Sequence, residues 1–286
     1  MKKLLFVLLA ATSLNGFAQK TDKKLTAKVE SLFQGFNGRI GVYAHDLNTN
    51  KVVAVNADSI FTTASMVKMG ILTGIMDKLN KGEYRYDQPI EYKDSLLYAG
   101  DDILGSFKNG EKIELGKVIM LMLTMSDNTA SLWLQSLAGG GARINALLDS
   151  LGIKDFRVNS RTPGRQDNQR RYGWGQTTPY AMATLMERIV NHDIISDSIS
   201  ERMLRLLGRN YWDGHAIAEI PADVFVASKN GAVDASRGEV LFVNGRGRRY
   251  VFCVCTSDNK DQSWGSDNEA WVLIRKLSKL LWEYYK

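Results

Sequence analysis

The sequence predicts an α+β fold. The expected form is an α/β sandwich: a five-stranded antiparallel sheet flanked by terminal helices, interrupted by an all-helical insertion. Three observations predict it. Strand-like runs stand near both ends, at 38–45 and 52–55 and again at 224–228, 239–243 and 250–256. Between them the apolar spacing changes to three and four residues, the period of helices with one buried face. Amphipathic helical stretches at 25–36 and 268–285 bracket the strands. With 286 residues, 44% hydrophobic and 24% charged, the chain can bury a full-sized core in one large or two intertwined domains. The expected division is 20–61 with 212–286 as the α/β domain and 62–211 as the inserted helical one.

The elements follow in order. Residues 1–19 have a basic start at Lys2 and Lys3, an apolar run from Leu4 to Ala11, and small residues at Gly16 and Ala18. That is the pattern of a cleaved secretory signal, so a periplasmic protein is expected. The apolar run is too short to span a bilayer, and no later run is long enough. The strands at 38–45 and 52–55 are joined by turn-forming residues and form a hairpin. Next comes 61–72, with Met66, Met69, Leu72 and Met76 on one helical face. Helices are expected over 115–125, 129–137, 142–151 and 179–191, the last opened by Thr178 and Pro179. The stretch 157–176 has no apolar period and carries Arg161, Arg165, Arg170 and Arg171. It reads as a long ordered loop whose arginines face water. The glycine-rich 244–249 is a hairpin tip.

Charge and rare residues exclude several classes. The formal charge is +6, and Lys2 and Lys3 lie in the leader, so only +4 remains. That is too mild for a nucleic-acid partner without an accompanying motif. Cys253 and Cys255, two apart on one strand, are at the edge of disulfide geometry and read as buried thiols. His45, His192 and His215 are scattered, so no metal and no cofactor is expected. A monomer acting on a small molecule is the expected state.

The chemistry starts at Ser65 and Lys68. Three residues apart on a helix, the amine can reach the hydroxyl. Near a helix start, unpaired N–H groups favour a developing anion. That is how a Ser–Lys nucleophile is built. The pair alone is weak evidence, because Ser257 and Lys260 repeat it by chance. A second element, Ser126-Asp127-Asn128, stands between two apolar helices, where a hydroxyl and an amide can be held rigidly. Its copies at 257–259 and 266–268 have plain explanations: a strand end, and a capping box from Ser266 to Glu269. A third, Lys229-Asn230-Gly231, lies on a strand whose open edge can receive a substrate backbone.

This ordered set resembles the three motifs of class A β-lactamases and penicillin-binding proteins. The resemblance covers nearly all of the chain after the leader, including 100–106, 124–131, 177–186 and 220–231. It implies the β-lactamase/transpeptidase-like fold and a role for each matching residue. Ser65 is the nucleophile and Lys68 its activating partner. Ser126 shuttles a proton and Asn128 grips the acyl-amide side chain. Lys229 and Arg237, with Asn230 and Gly231 on the strand, meet the substrate carboxylate. The N–H groups of Ser65 and Ala232 form the oxyanion hole. Asn230 replaces the usual Thr or Ser and still carries a donor.

The chain departs from the family in the loop. Where class A enzymes carry the glutamate that activates the deacylating water, Thr162 stands before Pro163. Gln166 replaces the following asparagine, and Ser160 and Gly175 replace the loop's arginine–aspartate pair. A shifted register would offer Asp167 instead. Loss of a general base slows a step by about 10²–10⁴-fold. The leading expectation is an exported serine acyl-hydrolase that opens β-lactams through Ser65 and releases the product slowly or through a non-standard base. The alternatives are a D,D-peptidase or transpeptidase, an esterase using the same pair, and a non-enzymatic β-lactam sensor or trap that stays acylated.

Overall fold

A computed structural model describes residues 19–98, 100 and 103–285. The expected leader, up to residue 18, lies outside the described residues, as do Asp101 and Asp102 of the 100–106 segment.

The chain opens with β1 (Lys20–Thr21) and α1 (Lys23–Leu32), then the hairpin β2 (Arg39–Asp46) and β3 (Lys51–Val55). The short strand β4 (Phe61–Thr62) leads through a 3-10 turn, Ala64–Val67, into α2 (Lys68–Asn80). A ribbon of β5 (Pro89–Glu91) and β6 (Lys112–Glu114) precedes α3 (Leu115–Thr124), α4 (Asn128–Leu137) and α5 (Gly140–Ser150). The arginine-bearing stretch folds as β7 (Arg157–Val158), α6 (Gln166–Tyr172) and β8 (Gly175–Thr177). Helices α7 (Pro179–Val190) and α8 (Asp197–Leu207) return the chain to β9 (Phe225–Val233), β10 (Ser236–Gly245) and β11 (Arg248–Ser257), and α9 (Glu269–Tyr284) ends it.

The main sheet runs β1-β3-β2-β11-β10-β9. Five strands are antiparallel, as expected, and the two-residue β1 adds a parallel edge on β3. Alternation along β10 explains the sandwich. Val240 and Phe242 face the core shared with α2 and α7, whereas Leu241 and Val243 face the core of α1 and α9. Because both faces are covered, the strands read as nearly continuous apolar runs. Cys253 and Cys255 project into the first core as free thiols, Sγ to Sγ 3.8 Å apart.

Two local expectations are corrected. Ser65 lies in the 3-10 turn and Lys68 is the first residue of α2, so Ser65 precedes the α-helix instead of occupying its first turn. Ala64 adopts φ +44°, a left-handed value that forces the tighter turn. At the last helix Asn268, not Ser266, is the cap: its Oδ1 accepts from the N–H groups of Ala270 and Trp271. An asparagine directly before the helix reaches these donors better than a serine two residues earlier.

Candidate active site

Three segments meet at one cleft. The Ser65 turn is pressed against β9 so closely that a Cβ on Gly231 would stand 2.4 Å from the Thr63 carbonyl oxygen and 2.9 Å from the Ser65 nitrogen. Only glycine permits that approach. On the far side, Gly238 of β10 lies under Met66, where a Cβ would meet Met66 Cε at 2.6 Å. The sheet edge therefore sets the position of Ser65.

Ser126 and Asn128 come from the α3–α4 connection. Ser126 has φ +60°, a second left-handed residue at the site, and backbone strain of this kind persists only where neighbours over-determine it. Buried Asp127 does so. Its Oδ1 caps α4 by accepting from Ala130 N at 2.7 Å, and its Oδ2 accepts from the N–H groups of Ile103 and Leu104.

Lys68 joins the segments. It is fully buried, and its Nζ lies 3.1 Å from Ser65 Oγ, 3.0 Å from Ser126 Oγ and 2.9 Å from Asn128 Oδ1, and also donates to the Ser126 carbonyl. Two of these partners, the carbonyl and the amide oxygen, can only accept. A neutral amine would spend its two hydrogens on them and keep its lone pair for a hydroxyl proton. Burial pushes the Lys68 pKa well below its ordinary value, the charge of Lys229 pushes it the same way, and Asp127 opposes. Among the described residues no carboxylate hydrogen-bonds to Lys68.

Lys229 is buried behind the cleft wall and donates to the Asn230 carbonyl at 2.8 Å and to Asn230 Oδ1 at 3.1 Å. Burial lowers its pKa to about 7, against the pull of Glu239. Glu239, also buried, accepts from the Ala216 N–H, and desolvation raises its pKa to about 7. The carboxamide oxygen of Asn230 is thus turned onto its neighbouring lysine. Arg237 is buried too. Its Nη1 donates to the carbonyls of Val233, Asp234 and Ser236 and its Nη2 to that of Ser263, while its guanidinium stacks 4.6 Å over Trp264. In this arrangement Arg237 clamps the β9–β10 turn, and neither it nor Lys229 lines the cleft.

The long loop is ordered and closed by neutral groups. Gln135 of α4 and Ser160 exchange hydrogen bonds of 2.6 and 2.9 Å, and Asn145 of α5 binds both the N–H and the carbonyl of Val158. Arg165 donates to Asn159 Oδ1 and Gln176 Oε1. These amides restrain the loop where Ser160 and Gly175 leave no arginine–aspartate pair, and at its start Arg157 pairs with Asp149. Thr162 is buried, and its hydroxyl donates to the Ser160 carbonyl and packs where a Cβ on Gly141 would be, 1.8 Å away. Gln166 is exposed, and so is Asp167, which pairs with Arg170. A register shift therefore offers no carboxylate here.

The cleft has a volume of about 400 Å³, and Ser65, Asn128 and Ala232 share its wall with Tyr98, Arg171, Gly173 and Trp174. The aromatic pair was missed from sequence. The available signal was a lone tryptophan after a glycine in an otherwise polar stretch. Among the described residues no three His, Cys, Asp or Glu side chains gather to hold a metal ion. No helix there is long and apolar enough to cross a membrane.

The sequence profile of the β-lactamase enzyme family matches residues 24–285. Beta-lactamase VEB-1 of Pseudomonas aeruginosa is 23% identical over 100% of this chain and 98% of its own. Among solved structures, PBP-A superposes with a TM-score of 0.81 at 22% identity, over 93% of this chain and 97% of that one. An ancestral class A β-lactamase gives 0.79 at 24% identity, over 91% and 100%.

Proposed function

Because the chain belongs to the β-lactamase enzyme family, with the fold of class A serine hydrolases and a small molecule as substrate, we propose that it is acylated at Ser65 by β-lactams and releases the acyl group slowly. One observation carries this reading: Lys68 Nζ is within hydrogen-bond reach of both Ser65 Oγ and Ser126 Oγ, while among the described residues no carboxylate hydrogen-bonds to it. Ser65 Oγ attacks the lactam carbonyl and its proton passes to the neutral Lys68 amine. The N–H groups of Ser65 and Ala232 receive the oxyanion, which forms against the cleft wall that both residues line. As the carbonyl reforms, the C–N bond breaks. The proton reaches the departing nitrogen through Ser126 Oγ, leaving Ser65 esterified.

Asn128 orients the acyl amide, and Gly231 keeps β9 tight against the turn. Lys229 attracts the substrate carboxylate from behind the wall, with Asn230 as its partner; Arg237 acts by fixing the β9–β10 turn. Thr162, at the position of the family's loop glutamate, supplies no base. The helical segment 62–211 sits as an insertion in the α/β domain, with the site at the seam. Export to the periplasm accords with the leader.

The same missing base favours a second reading, a D,D-peptidase or transpeptidase. There a long-lived acyl-enzyme waits for an acceptor instead of being lost to water.

The experiment is incubation with a penicillin, following protein mass and product together. The expected result is a stoichiometric adduct that is absent in Ser65→Ala and decays about 10²–10⁴-fold more slowly than an enzyme with a general base would allow. Hydrolysis of many equivalents at ordinary enzyme rates would overturn slow release. No adduct and no product would remove the β-lactam reading.

A further inference from the structure

Arg157 pairs with Asp149 at the start of the loop, and the four loop arginines after it, alike in sequence, have four different fates. Arg165 is spent on Asn159 and Gln176. Arg170 pairs with Asp167 on the surface. Arg161 lies by a separate depression beside Gln135, Gly139 and Gly140. Arg171 alone of the four lines the cleft, together with Ser65 and Asn128.

Its surroundings are built for a ligand group that the chemistry at Ser65 does not use. Arg171 lies in the last turn of α6, and Gly173, at φ +67°, reverses the chain so that Trp174 enters the same wall. The Trp174 ring meets Tyr98 edge to face, 5.0 Å between centroids at 81°. Tyr98 is in turn held by its own N–H, which donates to Thr129 Oγ1 at 3.0 Å. Arg171 packs over the neighbouring Tyr172 ring, 5.1 Å away, and among the described residues no carboxylate pairs with it. The result is a cationic fork beside an aromatic corner, on the side of the cleft where Asn128 stands.

We propose that Arg171, Tyr98 and Trp174 form a specificity subsite for acyl side chains that carry a carboxylate next to an aromatic or apolar group. This rests on the acylation of Ser65 proposed above. The aromatic corner takes the ring, and the guanidinium meets the carboxylate with paired donors. Asn128 holds the amide that links the side chain to the reacting carbonyl.

The test compares benzylpenicillin with α-carboxybenzylpenicillin, which differ by that one carboxylate, as rates of Ser65 adduct formation. The wild-type chain is expected to favour the carboxylated compound by about two- to fivefold, within the range of one partly exposed charge pair. Arg171→Gln should bring the ratio of the two rates to about one, and Arg171→Lys should keep part of it. Raising the salt concentration should shrink the wild-type preference. Equal rates in the wild-type chain, or a ratio unmoved by Arg171→Gln, overturn the subsite while leaving acylation at Ser65 intact. Absence of any adduct with either penicillin removes the β-lactam reading, and the subsite with it.

Discussion

At the scale of single residues, the site turns on two buried lysines that share one field. Both lose water, which disfavours the charged form, and the charge of Lys229 makes that of Lys68 costlier still. Glu239 favours the charged form of Lys229, and Asp127 that of Lys68. In the proposed mechanism Lys68 is the lysine that takes the Ser65 proton. The sign of a test follows. Removing the Lys229 charge takes away a force that lowers the Lys68 pKa, so that pKa rises and less neutral amine is present at a given pH. Lys229→Met should move the acid limb of acylation to higher pH. A neutral aryl ester, which has no carboxylate for Lys229 to bind, is the substrate for reading that midpoint. An unmoved or lowered midpoint would mean that Lys229 does not tune Lys68.

At the scale of elements, the decisive contact is the strand β9 against the Ser65 turn. Gly231→Ala puts a Cβ 2.4 Å from the Thr63 carbonyl, a backbone atom that cannot swing aside. The strand must then move off the turn. Such overpacking costs about 1–3 kcal/mol, measurable by denaturant unfolding. Moving Ala232 away from Ser65 also opens the proposed oxyanion site, and one lost donor there lowers acylation by about 10²–10³-fold. Wild-type acylation in the variant would show that the spacing of β9 does not matter. The α3–α4 connection depends in the same way on Asp127, whose carboxylate binds three backbone N–H groups and so holds Ser126 in its left-handed conformation.

At the scale of the whole molecule, the loop carrying Thr162 is locked to α4 and α5 by amide pairs, with Gly141 left bare to admit the threonine. A carboxylate placed at 162 would be buried against Gly141 and the Ser160 carbonyl. Thr162→Glu is expected to destabilise the fold by about 1–3 kcal/mol without speeding release of the acyl group. Unfolding and single-turnover deacylation measure the two effects. A faster deacylation would show that the loop can re-aim the side chain toward the water.

The sequence by itself determined the layers and the three motifs of the candidate site. Period two at both ends and period three to four between them are local signals of which faces become buried, and both cores follow them. The motifs at Ser65, Ser126 and Lys229 were legible because each is contiguous, and their order in the chain made the family resemblance. Only the tertiary structure decided where long side chains end. Arg237 and Arg171 look equally cationic in sequence, yet one is consumed by three carbonyls of its own turn and that of Ser263, and the other reaches the cleft. Thr162 likewise keeps its place in the chain while its hydroxyl turns to Ser160. Direction depends on neighbours far apart in sequence, such as Ser263 for Arg237 and Gly141 for Thr162. No local pattern encodes those neighbours, because they meet only when the sheet, the helices and the loop have packed.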